Sequence, residues 1–351
     1  MQGAPFLNLV LSLALVLMIG WLLVVGQSIL LPIVLAIIAV YILTTAAQAL
    51  GRVPIFRRLP SLVLHGLVLL LFTLAVVALG LVIAITVNDL VAAMPRYQQN
   101  LELLAGKVAT MGGFESPTWS EIVELTLGAV NFQAMTLRVL GSVSSLGLTM
   151  FVVMVYAGFL IVERRRFAAK LSAAFPVGDQ AERTGHILRD VNRKIGDYLA
   201  IKTGINIILG TISFVILWAM GVDFALFWAV MIGLFNYIPY AGSILGVALP
   251  VILSLAQFGS LGMTAMLGTL LIGAQAYVGN ILEPRVIGRQ LNLSPLVVLI
   301  SLSVWATLWG LPGALLAIPM TAIIAMICGA FPQTRFVAAL LANEVEPEAK
   351  P

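Results

Sequence analysis

The stretch "NYIPYAGSILG", residues 236–246, lies inside a run of 59 residues, 224–282, with no charged side chain. One membrane crossing takes about 20 apolar residues, so a run of this length reads as membrane-embedded. Yet Asn236, Tyr237, Pro239, Tyr240, Gly242 and Gly246 interrupt it, and Pro250 follows. Non-helical backbone at membrane depth survives only where it is buried in protein or lines a cavity. Pro239 has no backbone N–H to donate and clashes with the carbonyl four residues earlier. Gly242 permits a tight reversal. The pattern predicts two short apolar helices, about 224–237 and 243–257, joined by a polar break.

A second uncharged run, 290–334, repeats the design: Pro295 to Trp309, then "GLPG" at 310–313, then Leu315 to Ile327. In secondary transporters a pair of interrupted hydrophobic segments points to the binding site. Glycine and proline are also common in ordinary membrane helices, where they make kinks. The recurrence, with Gly and Pro close together in both runs, favours paired helical hairpins over kinked spans.

Composition agrees with a membrane protein. The chain has 351 residues, 61% hydrophobic and 10% charged, with mean hydropathy +1.09. Soluble domains carry about 25% charged residues. The single Cys328 excludes a disulfide framework or thiolate metal cluster, and His65 and His186 have no ligand-spaced partners. The net charge of +4 reads as an excess of basic residues in cytoplasmic loops rather than a nucleic-acid surface. The N-terminus "MQGAPFLNLVLSLALVLMIGWLL" has no basic region and no small-residue cleavage site, and reads as a retained first span.

Charge-free runs place the spans near 6–25, 29–50, 61–87, 142–162, 203–221 and 261–282, with hairpins between and after the last two. The expected fold is all-α and polytopic, with about six full spans and two broken re-entrant helical hairpins. Five segments follow: N-terminal membrane helices (1–88), an external helical segment (89–141), and a span with a cytoplasmic amphipathic helix (142–202). A core with both hairpins (203–334) and a tail (335–351) complete the chain.

Loop charge sets the orientation. "GRVPIFRRLP" (51–60) and segment 163–202 are basic, whereas 89–138 holds three basic and five acidic residues. The first two are expected in the cytoplasm and the third outside, with both termini cytoplasmic and the inner membrane as location. The arginines of "EPRVIGR" (283–289) fall on the cytoplasmic side only if 224–257 enters and leaves by the outer face. Hairpin 291–330 then enters from inside, and the two would meet near the midplane.

In the outer segment Leu90, Met94, Tyr97, Leu101, Leu104, Val108 and Met111 follow a 4-3 spacing, an a/d seam. It packs either on its own second helix (119–138), which Ser116-Pro117 would start, or between subunits of a homo-oligomer. In the cytoplasmic segment Ile187, Val191, Ile195 and Leu199 form an amphipathic face, expected at the membrane surface before the chain turns into the span at Lys202.

From about residue 187 onward the chain resembles the autoinducer-2 exporter-like transporters, the AI-2E family. The resemblance rests on "GDYL" (196–199), "NYIPYAGSILG" with Pro250, "NILEPRVIGRQLNLSPLVVL" (280–299) and "WGLPGALLAIP" (309–319), in order. It implies a multi-helix inner-membrane permease for a small signalling molecule, tied to quorum sensing. Some relatives are credited with sodium/proton exchange, and the family tends to cluster into oligomers. Ser294 stands where relatives often have a histidine.

Polarity and depth select the candidate residues. Asn236, Tyr237, Tyr240, Gln275 and Asn280 suit a neutral, hydroxyl-rich solute, because each amide supplies two donors and an acceptor. Pro239, Gly242, Gly246, Gly310, Pro312 and Gly313 form the hairpin tips. Asp197, expected to pair with Arg193, and Glu283 with Arg285, an expected anchoring pair around Pro284, are the charges at the edges. No carboxylate lies deep in a span, which disfavours proton coupling through one. No catalytic motif stands out, and no metal, cofactor or nucleic acid is expected. The expected partners are membrane lipid, a small polar solute and further copies of the chain. A receptor-like or structural membrane protein is the main rival to a transporter.

Overall fold

The computed structural model describes residues 4–112, 147–163, 179–287 and 291–344. The expected second external helix (119–138), the side chains of Val108, Met111, His186 and Ile187, and the end of the tail lie outside the described residues. The described residues form helices joined by turns, with no strand among them: α1 (Ala4–Val25), α2 (Gln27–Gly51), α3 (Ser61–Gly112), α4 (Gly147–Glu163), α5 (Asp179–Ala219), α6 (Ala225–Phe235), α7 (Ala241–Phe258) and α8 (Leu261–Tyr277). A π-helical turn (Val278–Leu282) leads into α9 (Glu283–Ile287), followed by α10 (Pro295–Ala330) and α11 (Arg335–Leu341). Six described helices are long and apolar enough to cross a membrane.

The packing divides the chain into two compact units. The first comprises Met1–Leu70, Met150–Ala200 and Arg289–Pro351, and the second Leu71–Thr149 and Ile201–Gly288. Segment 203–334 therefore contributes one hairpin to each unit.

The first unit contains α1, α2, α4, α10 and α11. Ala36 and Val40 of α2 pack on Val153 and Ala157 of α4. Small side chains let membrane helices approach closely, which is how they gain packing where water supplies no driving force. Val191, Ile195 and Leu199 are buried here, and Tyr41 donates to Asn192 Oδ1. This corrects one expectation. No separate surface helix ends at Lys202: α5 runs unbroken from 179 to 219 because no proline interrupts it, and its apolar face packs on protein.

The second unit is built around α5, α6, α7 and α8. Leu209, Leu217, Ile232, Leu267, Leu271 and Val278 form its core. Here α6 and α7 are antiparallel. A Cβ on Gly246 would lie 3.3 Å from Ile232 Cα, fourteen residues earlier. Along one straight helix those positions would be ~21 Å apart. Gln257 shows that the hairpin returns to its starting end. It donates from Nε2 to Gly221 O (2.8 Å) and accepts at Oε1 from Asp223 N–H (2.8 Å).

The second break is a hairpin too. The only non-helical residue inside α10 is Gly310, with φ 63° and ψ −142°. Trp305 Nε1 donates to Thr321 Oγ1 at 3.1 Å, whereas sixteen residues of straight helix would separate the two by ~24 Å. The arms 295–309 and 311–330 therefore fold back on each other. Trp305 and Trp309 are buried with ring centroids 5.2 Å apart, and Trp309 Nε1 donates to Leu23 O at the end of α1. The hairpin's two ends are joined by α11: Ser294 N–H donates to Leu341 O, and Thr334 Oγ1 donates to Cys328 O.

Candidate functional site

The tip of the first hairpin spans Asn236 to Tyr240, and its backbone explains the sequence signal. Pro239 accepts from Ala241 N–H at 2.6 Å across Tyr240, which has φ 57° and ψ −61°. This is a γ-turn with positive φ at its centre, a strained conformation for any residue with a Cβ. The reversal thus falls on Tyr240, not on Gly242 as the sequence pattern suggested. Gly242 has a different task. A Cβ there would lie 1.8 Å from Phe235 O, so its bare Cα seats the second arm on the end of the first. Gly313 repeats this in the other unit, with a Cβ placed 1.9 Å from Trp305 O. Pro312 lies within α10 two residues past Gly310, in its second arm, where its missing N–H coincides with a start of helix.

Around the first tip four elements converge. Asn236 Nδ2 donates to Asn206 Oδ1 of α5 (2.8 Å), and Gln275 Nε2 of α8 donates to Asn236 Oδ1 (2.9 Å). Gln275 Nε2 also donates to Ser243 Oγ of α7 (2.9 Å), and Tyr237 OH shares a 2.6 Å bond with Thr203 Oγ1. Asn206 and Asn236 are 5% and 4% exposed, so this is a buried amide network. Among the described residues no partner meets hydrogen-bond geometry with the buried Asn206 Nδ2. Such a group in a native structure needs an explanation, and a solute acceptor would supply one.

A cleft of about 440 Å³ opens beside the network between α5 and α6. Thr203, Asn206 and Tyr237 form its polar end, and Gly210, Phe214 and Leu226 line it further on. The two helices close beneath it through glycines: a Cβ on Gly233 would lie 2.9 Å from Asn206 O.

Counting along the helices gives the depth. Asn206 to Gly221, Ser243 to Gln257 and Ser260 to Gln275 each cover about 15 residues, or ~22 Å. Three independent helices thus put the network equally far from one rim. That rim is polar: Asp223 accepts from Tyr97 OH (2.8 Å) and pairs with Arg96, and Asn100 Nδ2 donates to Gln257 O (2.6 Å). Beyond the network, Lys202 Nζ meets Glu283 Oε1 at 2.5 Å, with the lysine side chain 6% exposed. Lys202 and Asp223 are about 21 residues apart, ~31 Å of helix, which matches the hydrocarbon thickness. The ion pairs mark two boundaries and the neutral amides lie between them.

The structure therefore joins Asn236, Gln275 and Tyr237 as the sequence suggested, and adds Asn206, Thr203 and Ser243. Asn206 carried the same signal as Gln275, an amide inside an uncharged span, but it stands alone there without a helix breaker beside it. Tyr240 lies at the tip with its side chain 55% exposed, outside the bonded network. Asn280 is exposed on the π-helical turn, five residues past Gln275 and apart from the network.

Two expected pairings are corrected. Arg193 bonds Asp190 Oδ1 at 3.1 Å, while Asp197 is exposed and has no partner among the described residues. Asp190 one turn back takes the guanidinium instead. Glu283 pairs with Lys202, and Arg285 is exposed. Residues two apart on a helix do not face each other, so Glu283 reaches across to α5.

Comparison with known proteins shows the family. The pattern of the "AI-2E family transporter" matches residues 11–333. The AI-2 transport protein TqsA of Escherichia coli is 30% identical over 329 residues, 89% of this chain and 91% of that protein. YhhT of Escherichia coli is 28% identical over 258 residues, 73% of each. A protein of Borreliella burgdorferi named for transport is 33% identical over 243 residues, 69% of this chain and 66% of that protein's length. With a family match across nearly the whole sequence and the broken segments folded as hairpins, the chain belongs to the AI-2E family of transporters.

Proposed function

We propose that this multi-pass membrane transporter exports a small, neutral, hydroxyl-bearing solute of the autoinducer-2 type, and that the network at the first hairpin tip binds it. The observation that carries this reading is the chain of amides from Gln275 through Asn236 to Asn206, buried about 22 Å from the rim, with Asn206 Nδ2 meeting hydrogen-bond geometry with none of the described residues. A neutral donor–acceptor array of this kind suits hydroxyl groups, and it holds no carboxylate to carry a proton. The name of TqsA supports the solute class. The hairpins act as the moving parts of alternating access, one tip carrying Asn236 and the other carrying Trp309. The protein works as a homo-oligomer in the inner membrane, with both termini in the cytoplasm. An impermeant thiol reagent that reached a cysteine at Arg57 from outside the cell would reverse that orientation.

Sodium/proton exchange is the competing reading. The network between the two boundary ion pairs contains no carboxylate to carry a proton, and that weighs against it. Flux into liposomes holding the purified protein distinguishes the two. Autoinducer-2 should move with saturation, and Asn236→Ala should weaken its apparent affinity by about 1–3 kcal/mol, the scale of a lost buried hydrogen bond. Dissipation of a sodium or proton gradient without autoinducer-2 flux would assign the protein to ion exchange instead.

A further inference from the structure

A second cavity, of about 390 Å³, lies in the first unit, far along the sequence from the amide network. Small residues line two of its sides, Ala322, Ala325 and Gly329 of the α10 second arm and Ala338, Ala339 and Ala342 of α11, with Leu291, Leu293 and Met326 completing an apolar wall. Gly329 sets the spacing of the two helices, since a Cβ there would stand 3.3 Å from Ala338 Cβ. Lys194 of α5, Arg335 of α11 and Glu344 line it as well. Asn292 fixes the far wall. Its Oδ1 accepts from the N–H groups of Asn343 and Glu344 (3.1 and 2.9 Å), and its Nδ2 donates to Glu344 O (2.6 Å). The site is therefore built, and its lining holds two basic residues and one acidic one.

The opposite face of α11 shows where the cavity lies. Phe336 and Leu340, one turn apart, are 65% and 74% exposed. A short helix with an outward apolar face and a basic first residue suits the plane of a membrane interface. Arg335 also ends the uncharged run 290–334, which puts its guanidinium at headgroup height. Basic pockets between membrane helices at that height recognise anionic lipid headgroups, each Lys or Arg near the surface contributing about 1 kcal/mol.

We propose that this cavity holds the headgroup of an anionic phospholipid, its phosphate between Lys194 and Arg335 and its first acyl carbons along the alanine walls. Arg335 already has an interaction within the chain. Its fork of five donors leaves others for a phosphate oxygen. A bound lipid would hold α11, and through Ser294 and Asn292 both ends of the second hairpin.

The test uses the full chain in neutral detergent, supplied with phosphatidylglycerol, phosphatidylcholine or inorganic phosphate at equal phosphorus. Phosphatidylglycerol should raise the melting temperature by several degrees and stay bound in native mass spectrometry. Lys194→Gln with Arg335→Gln should lose at least three-quarters of that retention, while the control Arg57→Gln with Arg58→Gln keeps it. Ala325→Leu, which fills the cavity without altering charge, should also expel the lipid. Equal stabilisation by phosphatidylcholine, or unchanged retention in both cavity variants, would overturn the proposal. So would an effect of inorganic phosphate as large as that of the lipid, which would assign the site to a free anion.

Discussion

Lys202 and Glu283 show how unequal the two halves of one ion pair can be. The lysine side chain is 6% exposed and the glutamate 28%. Breaking a buried pair costs about 3–5 kcal/mol when the charge left behind is uncompensated. Glu283→Gln strands the buried ammonium, so it should destabilise by about 3 kcal/mol. Lys202→Met leaves a carboxylate that water can reach, and should cost clearly less. Unfolding of both variants in the same detergent checks the order; a larger loss for Lys202→Met would mean that the lysine reaches solvent or lipid headgroups. The pair itself was not legible in the sequence. Eighty-one positions separate its members, and a lysine at the end of a charge-free span reads as a boundary residue. Asn236 and Gln275 were legible because an amide in an uncharged run has few reasons to be there besides a partner or a solute.

At the level of elements, both hairpins rest on one glycine that lets a backbone carbonyl approach. With a Cβ 1.8 Å from Phe235 O or 1.9 Å from Trp305 O, the arms cannot close. Gly242→Ala and Gly313→Ala should therefore each abolish solute flux and lower stability. Gly204→Ala and Gly273→Ala, helical positions with nothing within 4 Å of the added carbon, should transport normally. Normal flux in the first pair would show that the arms separate freely in the working protein. The sequence announced that both segments break, through Pro239 and "GLPG". It did not show which residue turns the chain. Tyr240 reverses the first hairpin although it carries a side chain at φ 57°, and no propensity points to a tyrosine there. Gly310 and not Gly313 reverses the second, and a local pattern of three candidates in four residues cannot choose between them. The length of α3 was hidden too: span and seam were both visible as separate segments, but Pro95 lies inside the helix without ending it, and they form one 52-residue helix.

For the whole molecule, the seam of α3 from Leu90 onward bears on assembly. Tyr97, a seam position, is 3% exposed and bonded to Asp223 within its own chain, so the seam is partly used by internal packing. Leu101 and Leu104 continue the stripe one and two turns further out and are only partly buried. If copies associate through them, Leu101→Asp with Leu104→Asp should reduce the particle mass in mild detergent to that of one chain. An unchanged mass would place the contact elsewhere. The central claim is that both broken segments return to the end from which they start, and distances between spin labels test it most directly. On a background without Cys328, labels at Leu226 and Ile252 face one another across the first hairpin, and labels at Leu299 and Ile327 across the second; all four side chains are exposed. Hairpins predict separations below about 20 Å for both pairs, whereas continuous helices would hold them ~39 Å and ~42 Å apart. Distances near the longer values in either pair would contradict the account.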